Sequence, residues 1–233
     1  MNSIWILFFL ILISALPVFL LYIWLRARRY RFSLLWFAGA LLAGVVSFFL
    51  ALFTQSLIPR PELYAINSRW TLPGEIFLRI ALTEELGRLV VSLVFFSAAR
   101  RFGPPVNRVN AGESGPEEGA YGPLTGLLAG LGFVLIESAS YGSADAGIAL
   151  LRAFTAAPLH GACGARVGKA ALNLRYTPFR AITGFLSAVA IHGTYNFMLL
   201  LPGFPSILAI LIAFSAFAST ILLIRGEISG DSR

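Results

Sequence analysis

Residues 33–57 read SLLWFAGALLAGVVSFFLALFTQSL, and none of these side chains is charged. A helix of this length is about 37 Å long, which exceeds the hydrocarbon core of a bilayer at about 30 Å. In lipid the backbone must satisfy its own hydrogen bonds, so a long apolar stretch of this kind forms a helix. Residues 33–57 therefore predict a transmembrane helix, and they set the interpretation of the rest of the chain.

The composition extends this prediction to the whole chain. Of 233 residues, 58% are hydrophobic and only 12% are charged, whereas soluble domains contain about 25% charged residues. We predict an all-α fold, a polytopic membrane helix bundle of about seven transmembrane helices forming one integral membrane domain over residues 1–233. The predicted spans are 3–25, 33–57, 74–98, 122–142, 146–168, 179–200 and 204–224.

The N-terminal span is predicted to be an uncleaved helix with the N-terminus outside. Residues 3–25 are too long for the core of a signal peptide, no basic residue precedes them, and RARRYR follows directly at 26–31. A Gly- and Pro-rich stretch at about 100–122 is predicted to be a flexible linker on the inner face. The single cysteine, Cys163, excludes an internal disulfide and is assigned to packing.

Positive charge is distributed unevenly between the predicted loops, which orients the bundle with the C-terminus inside. The outer loops receive only Arg60 and Arg69. The inner face receives Arg26, Arg28, Arg29, Arg31, Arg100, Arg101, Arg108, Arg166, Lys169, Arg175, Arg180, Arg225 and Arg233. The positive-inside rule accounts for the net charge of +7, so we expect a lipid bilayer and not a nucleic acid as the partner of these charges.

The span at 74–98 contains charged residues far from either end. A charge at the centre of a membrane helix costs roughly 2.5–3.5 kcal/mol of insertion free energy. Glu84, Glu85 and Arg88 therefore indicate either a structural ion pair or a functional site. A structural ion pair between Glu84 and Arg88, four residues apart, is one interpretation. Two adjacent carboxylates exceed what such a pair requires. Glu75 and Arg79 have the same spacing nearer the interface, where a structural pair is the better interpretation.

Three later spans also contain polar residues at depth. Glu137 and Arg152 lie at similar depths on successive helices and predict an ion pair. His160 follows Pro158, which should loosen its helix. His192 and Asn196 are four residues apart and share a helix face. These residues, together with those at 84–88, suggest a polar site formed by four helices.

The charges of this polar set do not balance. Three glutamates face two arginines, so one negative charge remains to be met by a proton, an imidazolium or a metal ion. Counted along straight helices, Glu84 lies about 15 Å and His192 about 12 Å below the outer surface, whereas His160 lies about 21 Å below it. On this estimate, His160 is about 9 Å deeper than His192.

The combined motifs resemble the PrsW family of intramembrane proteases, which is similar to the CAAX prenyl proteases and the bacteriocin-processing enzymes. The motifs, in order, are EE-x-x-R at Glu84, Glu85 and Arg88, GFVLIESASY with Glu137, Arg152 eight residues before His160, and H-x-x-x-N at His192 and Asn196. The resemblance covers about residues 80–197. The family usually has Lys where this chain has Arg88 and Asn where it has Ser138.

The resemblance implies a glutamate-dependent protease that cleaves membrane-anchored proteins, with anti-sigma factors as a substrate class of the family. We expect Glu84 to be the general base, with Glu85 as the alternative. His160 and His192 would position the water or polarise the carbonyl, and Asn196 would donate to the oxyanion. Arg88, Glu137 and Arg152 would support them. The expected location is a prokaryotic plasma membrane, and the oligomeric state is left open.

Three alternatives remain at this stage. A zinc protease would use the two histidines and a carboxylate, but HExxH spacing is absent and the depth estimate separates the histidines, so no metal cofactor is expected. A transporter or proton-relay protein also contains buried Glu and His, although the two halves of the chain show no internal symmetry. A non-catalytic scaffold could bind membrane helices through faces rich in small residues.

Overall fold

Helices make up nearly all of the chain that the structure describes. In a computed structural model the described residues are 3–27, 30–59, 71–99, 106–108, 117–142 and 146–229, apart from 202 and 204. Before the linker the helices are α1 (Ser3–Ser14), α2 (Leu16–Ala27), α3 (Leu34–Leu57), α4 (Thr71–Pro73) and α5 (Leu82–Ala99). After it they are α6 (Glu117–Gly142), α7 (Ala146–Asn173), α8 (Pro178–Leu200) and α9 (Ser206–Ser229). The predicted all-helical membrane fold is confirmed.

Two short non-α elements connect these helices. A π-helical stretch, Gly74–Ala81, joins α4 to α5 without a break. Strand β1 (Tyr30–Phe32) pairs antiparallel with β2 (Val106–Arg108), with Tyr30 opposite Arg108. The sequence analysis predicted neither element. The strand pair depends on a contact between distant segments, and the π-helical stretch depends on local backbone geometry. The spacing of apolar residues predicts neither.

The number of membrane crossings is supported only in part. By length and apolar composition, three helices of the described chain could cross a membrane: Leu34–Leu57, Tyr121–Tyr141 and Ser206–Arg225. The bent pair α1–α2 would be a fourth. The helices α5, α7 and α8 lie at predicted spans, and they contain the charged and polar residues discussed above. The total of about seven spans and the orientation of the termini stay predictions.

The first predicted span is bent. Between Ser14 and Leu16 the helix axis turns by 41°. Pro17 lies just beyond the bend, where its ring lacks an amide donor and crowds the carbonyl four residues earlier. The span at 3–25 is therefore two helices instead of one, and its continuity was predicted wrongly.

The inner-face linker lies largely outside the described residues. Its described parts are β2 and the residues from 117 onward, which are already helical because α6 begins at Glu117. The helix therefore begins before the boundary predicted near residue 122. Several of the arginines used for orientation also lie outside the described residues: Arg28, Arg29, Arg60, Arg69, Arg100, Arg101 and Arg233.

Helix α6 lies at the centre of the bundle, between α3 and α7. Its glycines permit backbone contact with both neighbours, because small residues let membrane helices approach closely. A Cβ atom on Gly126 would overlap the carbonyl of Gly164, and one on Gly130 would overlap the carbonyl of His160. This contact between α6 and α7 determines where His160 lies relative to α6.

Large apolar side chains remain exposed on the outer helices. On α3, Leu42 is 60% and Phe53 is 62% exposed, and on α9, Leu222 is 66% exposed. A soluble protein rarely exposes contiguous apolar surface of this kind. Together with the apolar helices, these faces indicate an integral membrane protein with lipid against α3 and α9.

We expect Gly130→Ala to destabilise the protein strongly, because the new methyl group would overlap the His160 carbonyl and force α6 and α7 apart. The expected loss is about 1–3 kcal/mol or more, seen as a lower thermal midpoint in detergent. Gly184→Ala is the matched control, since a Cβ there meets no atom closer than 3.9 Å. Equal midpoints for the two variants would contradict the proposed close approach.

Candidate active site

Helix α5 turns its charged residues inward. Glu85 and Arg88 are both fully buried, and Arg88 Nη1 lies 2.5 Å from Glu85 Oε2. The partner of Arg88 is therefore Glu85, three residues earlier, and the structural pairing of Arg88 with Glu84 is wrong. The pair neutralises two charges that would be costly if either were buried alone.

Glu84 is buried and makes few contacts. Its Oε1 accepts a long hydrogen bond of 3.4 Å from Gln55 Nε2 of α3, and Gln55 also donates to Thr83 Oγ1 at 3.1 Å. Glu84 Oε2 is buried without a hydrogen bond, 3.6 Å from His192 Nε2. Sequence reasoning missed Gln55, although it is the single amide side chain in the apolar stretch 33–57.

His192 is held by its other ring nitrogen. Its Nδ1 lies 2.8 Å from Glu85 Oε1, and the ring is almost fully buried. An ionised carboxylate can only accept, so Nδ1 carries a proton and a neutral ring leaves a lone pair on Nε2, toward Glu84. Arg88, Glu85 and His192 thus form a chain of contacts that fixes the orientation of the imidazole.

His160 has partners at both ring nitrogens. Arg88 Nη2 lies 3.2 Å from Nδ1, and Glu137 Oε2 lies 3.0 Å from Nε2. A guanidinium group can only donate, so Nδ1 accepts and a neutral ring carries its proton on Nε2. The ring also stacks on Phe133, with centroids 5.2 Å apart. His160 therefore presents an N–H group, and not a lone pair, on its Nε2 side.

The predicted pair between Glu137 and Arg152 is formed. Arg152 Nη2 lies 2.6 Å from Glu137 Oε2, and its guanidinium carbon lies 4.3 Å from the ring centroid of Tyr141. Glu137 Oε2 has Arg152 and His160 close by, although neither contact has the alignment of a hydrogen bond. Glu75 and Arg79 also form their predicted pair, at 2.6 Å.

These pairings locate the excess negative charge. Glu85 has Arg88 and Glu137 has Arg152, whereas Glu84 has no arginine or lysine nitrogen within 4.0 Å in the part of the chain that is described. The sequence predicted one uncompensated carboxylate without naming it. The geometry assigns that role to Glu84.

The two histidines meet at the same level of the bundle. Their ring centroids are 4.8 Å apart, and the rings meet edge to face. The predicted 9 Å difference in depth was wrong, because it treated the helices as straight rods perpendicular to the membrane that begin at a common plane. Asn196 lies one turn beyond His192, half-buried, and has no hydrogen-bond partner among the described residues.

Residues 31–222 match the family model described as PrsW family intramembrane metalloprotease. The chain belongs to this family. The match covers most of the chain and includes every member of the polar site. The chain matches no curated protein and no solved structure. Membership in the PrsW family makes the protein an intramembrane peptidase, which favours proteolysis over the transporter and scaffold alternatives.

The description of the PrsW family includes a metal, so the site must be tested as a ligand set. Glu84, His160 and His192 can each offer one atom such that all three lie within 4.8 Å of one another. Zinc bonds of about 2.0–2.2 Å require ligand atoms about 3.4 Å apart, close to the 3.6 Å between His192 and Glu84.

The three side chains differ in how readily they could bind a metal ion. His192 has a free Nε2 and a carboxylate on Nδ1, the arrangement typical of a metal-bound histidine. Glu84 has a buried oxygen without a hydrogen bond. His160 Nδ1 is in contact with Arg88, and its Nε2 lies 3.0 Å from Glu137 Oε2 without the alignment of a hydrogen bond. The three residues therefore form a possible metal site, in which Glu84 and His192 could bind an ion as they stand and His160 would first have to give up its contact with Arg88.

Proposed function

We propose that this protein hydrolyses peptide bonds of membrane proteins by means of a water molecule activated by Glu84. One observation carries the proposal: Glu84 is a buried carboxylate without an arginine partner, and its free oxygen faces His192 Nε2 at 3.6 Å. A carboxylate that is not neutralised by a fixed cation remains available to accept a proton, which a general base requires. The two other buried glutamates of the site are already paired.

The proposed reaction follows from these positions. Glu84 takes a proton from the water, and the hydroxyl oxygen attacks the scissile carbonyl carbon. The C–N bond then breaks, and the proton passes from Glu84 to the leaving nitrogen, so the products are a carboxylic acid and an amine, and Glu84 is ionised again. His192, oriented by Glu85, helps to hold the water through Nε2. Glu85 is too strongly engaged with Arg88 and His192 to be the preferred base.

The remaining residues stabilise charge and orientation. Asn196 has no partner in the described chain, so its amide is free to donate to the oxygen that becomes negative during attack. His160 Nε2 lies 3.0 Å from Glu137 Oε2, where its proton helps to stabilise the charge of that carboxylate. Arg88 and Arg152 balance Glu85 and Glu137. Gln55 restrains one oxygen of Glu84 from α3, which leaves the other oxygen for the water.

The proposed substrate is a single-pass membrane protein with a locally unwound segment, because a helical backbone hides its carbonyl groups. An anti-sigma factor-like protein is a candidate by analogy with the family. We also propose that residues 1–233 form one domain with about seven spans, its N-terminus outside and C-terminus inside, in a prokaryotic plasma membrane. Incubating purified protein with a panel of single-pass substrates, and identifying product termini by mass spectrometry, tests the activity directly.

A metal-dependent reaction at the same residues is the second candidate. The clustering of Glu84, His160 and His192 within 4.8 Å favours it, as does the family description. A third ligand would be available only if the His160 ring turned away from Arg88. If three ligands held one ion, Glu84 would also cease to be a free base. This competition for Glu84 makes the two candidates distinguishable.

We expect hydrolysis to persist after the purified protein is treated with strong zinc chelators, because His160 is engaged by Arg88 and Glu137. The measurement is the cleavage rate before and after chelation, together with the metal content by elemental analysis. A known zinc protease in the same detergent serves as the positive control for chelation. Loss of cleavage that added zinc restores, with about one zinc per chain, would establish the second candidate.

A further inference from the structure

A second polar feature lies away from the proposed site, in a groove between α8 and α9. The groove has a volume of about 470 Å³, and its lining residues on α9 run from Leu208 to Ser219, where Arg166 of α7 donates a hydrogen bond. Its walls include Ile191, Met198, Leu208, Leu211 and Ile212. An elongated apolar groove with one cationic end is complementary to an amphiphile with a negative headgroup.

The contacts of Arg166 are all with neutral oxygens. Its Nη1 donates to the carbonyl of Ala162 at 2.8 Å and to Thr220 Oγ1 at 2.9 Å, and its Nη2 donates to Ser219 Oγ at 2.5 Å. A guanidinium has five N–H donors. Two of them, the Nε–H and one on Nη2, therefore have no acceptor among the described residues.

The positive charge of Arg166 is also uncompensated. Arg79, Arg88 and Arg152 each have a carboxylate partner, whereas no carboxylate lies within 4.0 Å of Arg166 among the described residues. A charged side chain inside a membrane bundle normally has a charged partner, a carbonyl or water beside it. Here a backbone carbonyl and two hydroxyl groups contact Arg166. None of them neutralises its positive charge, so an anion from outside the described chain could do so.

We propose that Arg166 binds the phosphate of an anionic phospholipid whose acyl chain lies along the groove between α8 and α9. Two free N–H groups on one guanidinium match two phosphate oxygens. The groove borders an exposed face of α9, where its lining residues Leu211 and Leu208 are 54% and 37% exposed. Lipid is in continuous contact with this face, and a basic pocket between membrane helices is a known way to bind an acidic headgroup.

The test measures lipid binding by the full chain and does not depend on cleavage. Purified protein in a neutral detergent is titrated with dioleoyl-phosphatidylglycerol, with dioleoyl-phosphatidylcholine and with inorganic phosphate. Thermal unfolding and native mass spectrometry report binding. We expect a larger rise in the midpoint and more bound lipid with phosphatidylglycerol than with phosphatidylcholine, and no effect of inorganic phosphate, because the acyl chain contributes the apolar contacts.

Two variants test the two halves of the site. Arg166→Gln should weaken phosphatidylglycerol binding about fivefold or more, equivalent to about 1 kcal/mol for one basic residue near a membrane surface. Arg180→Gln, at an exposed arginine, is the control with the same change in charge. Ser215→Phe should weaken binding by filling the groove, and Ser97→Phe, at an exposed serine of α5, is its control.

Several outcomes would overturn the proposal. One is equal binding of the two lipids by wild-type protein, and another is unchanged phosphatidylglycerol binding by Arg166→Gln. If Arg166→Gln does not fold, the Ser215→Phe variant is the test. Unchanged lipid preference in that variant would show that the acyl chain does not bind in the groove. Binding of a membrane helix with an acidic residue, without any binding of phosphatidylglycerol, would replace the lipid with a protein partner.

Discussion

Glu84→Gln is expected to lower cleavage by about 10²- to 10⁴-fold, the range for removing a general base, while leaving the fold intact. Glutamine has nearly the same volume and can still accept the 3.4 Å hydrogen bond from Gln55. It cannot accept a proton from water at neutral pH. Because no arginine depends on Glu84 for charge balance, the substitution leaves no unpaired cation behind.

The measurement is single-turnover cleavage of a single-pass substrate, with the thermal midpoint of each protein recorded in the same detergent. Glu75→Gln is the matched control, since Glu75 makes a structural pair with Arg79 outside the site, and it should keep most of the activity. If Glu84→Gln also kept most of the activity, Glu85 would become the candidate base. A failure of Glu84→Gln to fold would indicate a structural role.

The second large effect is expected for His192→Ala, which should lower turnover by about 10²-fold or more. The variant removes the Nε2 atom that faces Glu84 and leaves Glu85 with Arg88 as its remaining partner among the described site residues. His160→Ala and Asn196→Ala are expected to fall in the same range. His160 lies between His192 and the Glu137 carboxylate, and Asn196 supplies the proposed oxyanion donor.

Thr194→Ala is the control for α8, because its hydroxyl donates only to the carbonyl of Ala190 within its own helix. It should have wild-type turnover. Separate values of kcat and KM distinguish a catalytic role from a binding role, since loss of a group that acts in the transition state lowers kcat. A His192→Ala protein with normal kcat and raised KM would contradict the proposed role in the reaction.

The helical membrane fold and the class of enzyme could be predicted from the sequence. The charge-free stretch at 33–57 has no stable alternative to a helix in lipid, so the class of fold follows from composition and length. The pair Glu75–Arg79 follows from helical spacing, and Glu137–Arg152 from positions on two successive helices. Membership in the PrsW family was predicted from the order of the motifs. Each of these inferences depends on neighbours along one helix or on consecutive helices, which sequence spacing determines.

The sequence determined which polar residues are buried, and the tertiary structure decided how they pair. Spacing alone could not choose between Glu84 and Glu85 as the partner of Arg88, or bring Gln55 to Glu84, or place His160 4.8 Å from His192. Those contacts depend on helix tilt and on how closely two backbones approach, as α6 and α7 do at Gly130. A shift of one helical turn moves a side chain by about 5.4 Å, more than the length of any contact in the site, so only the packed helices decide which carboxylate is left free.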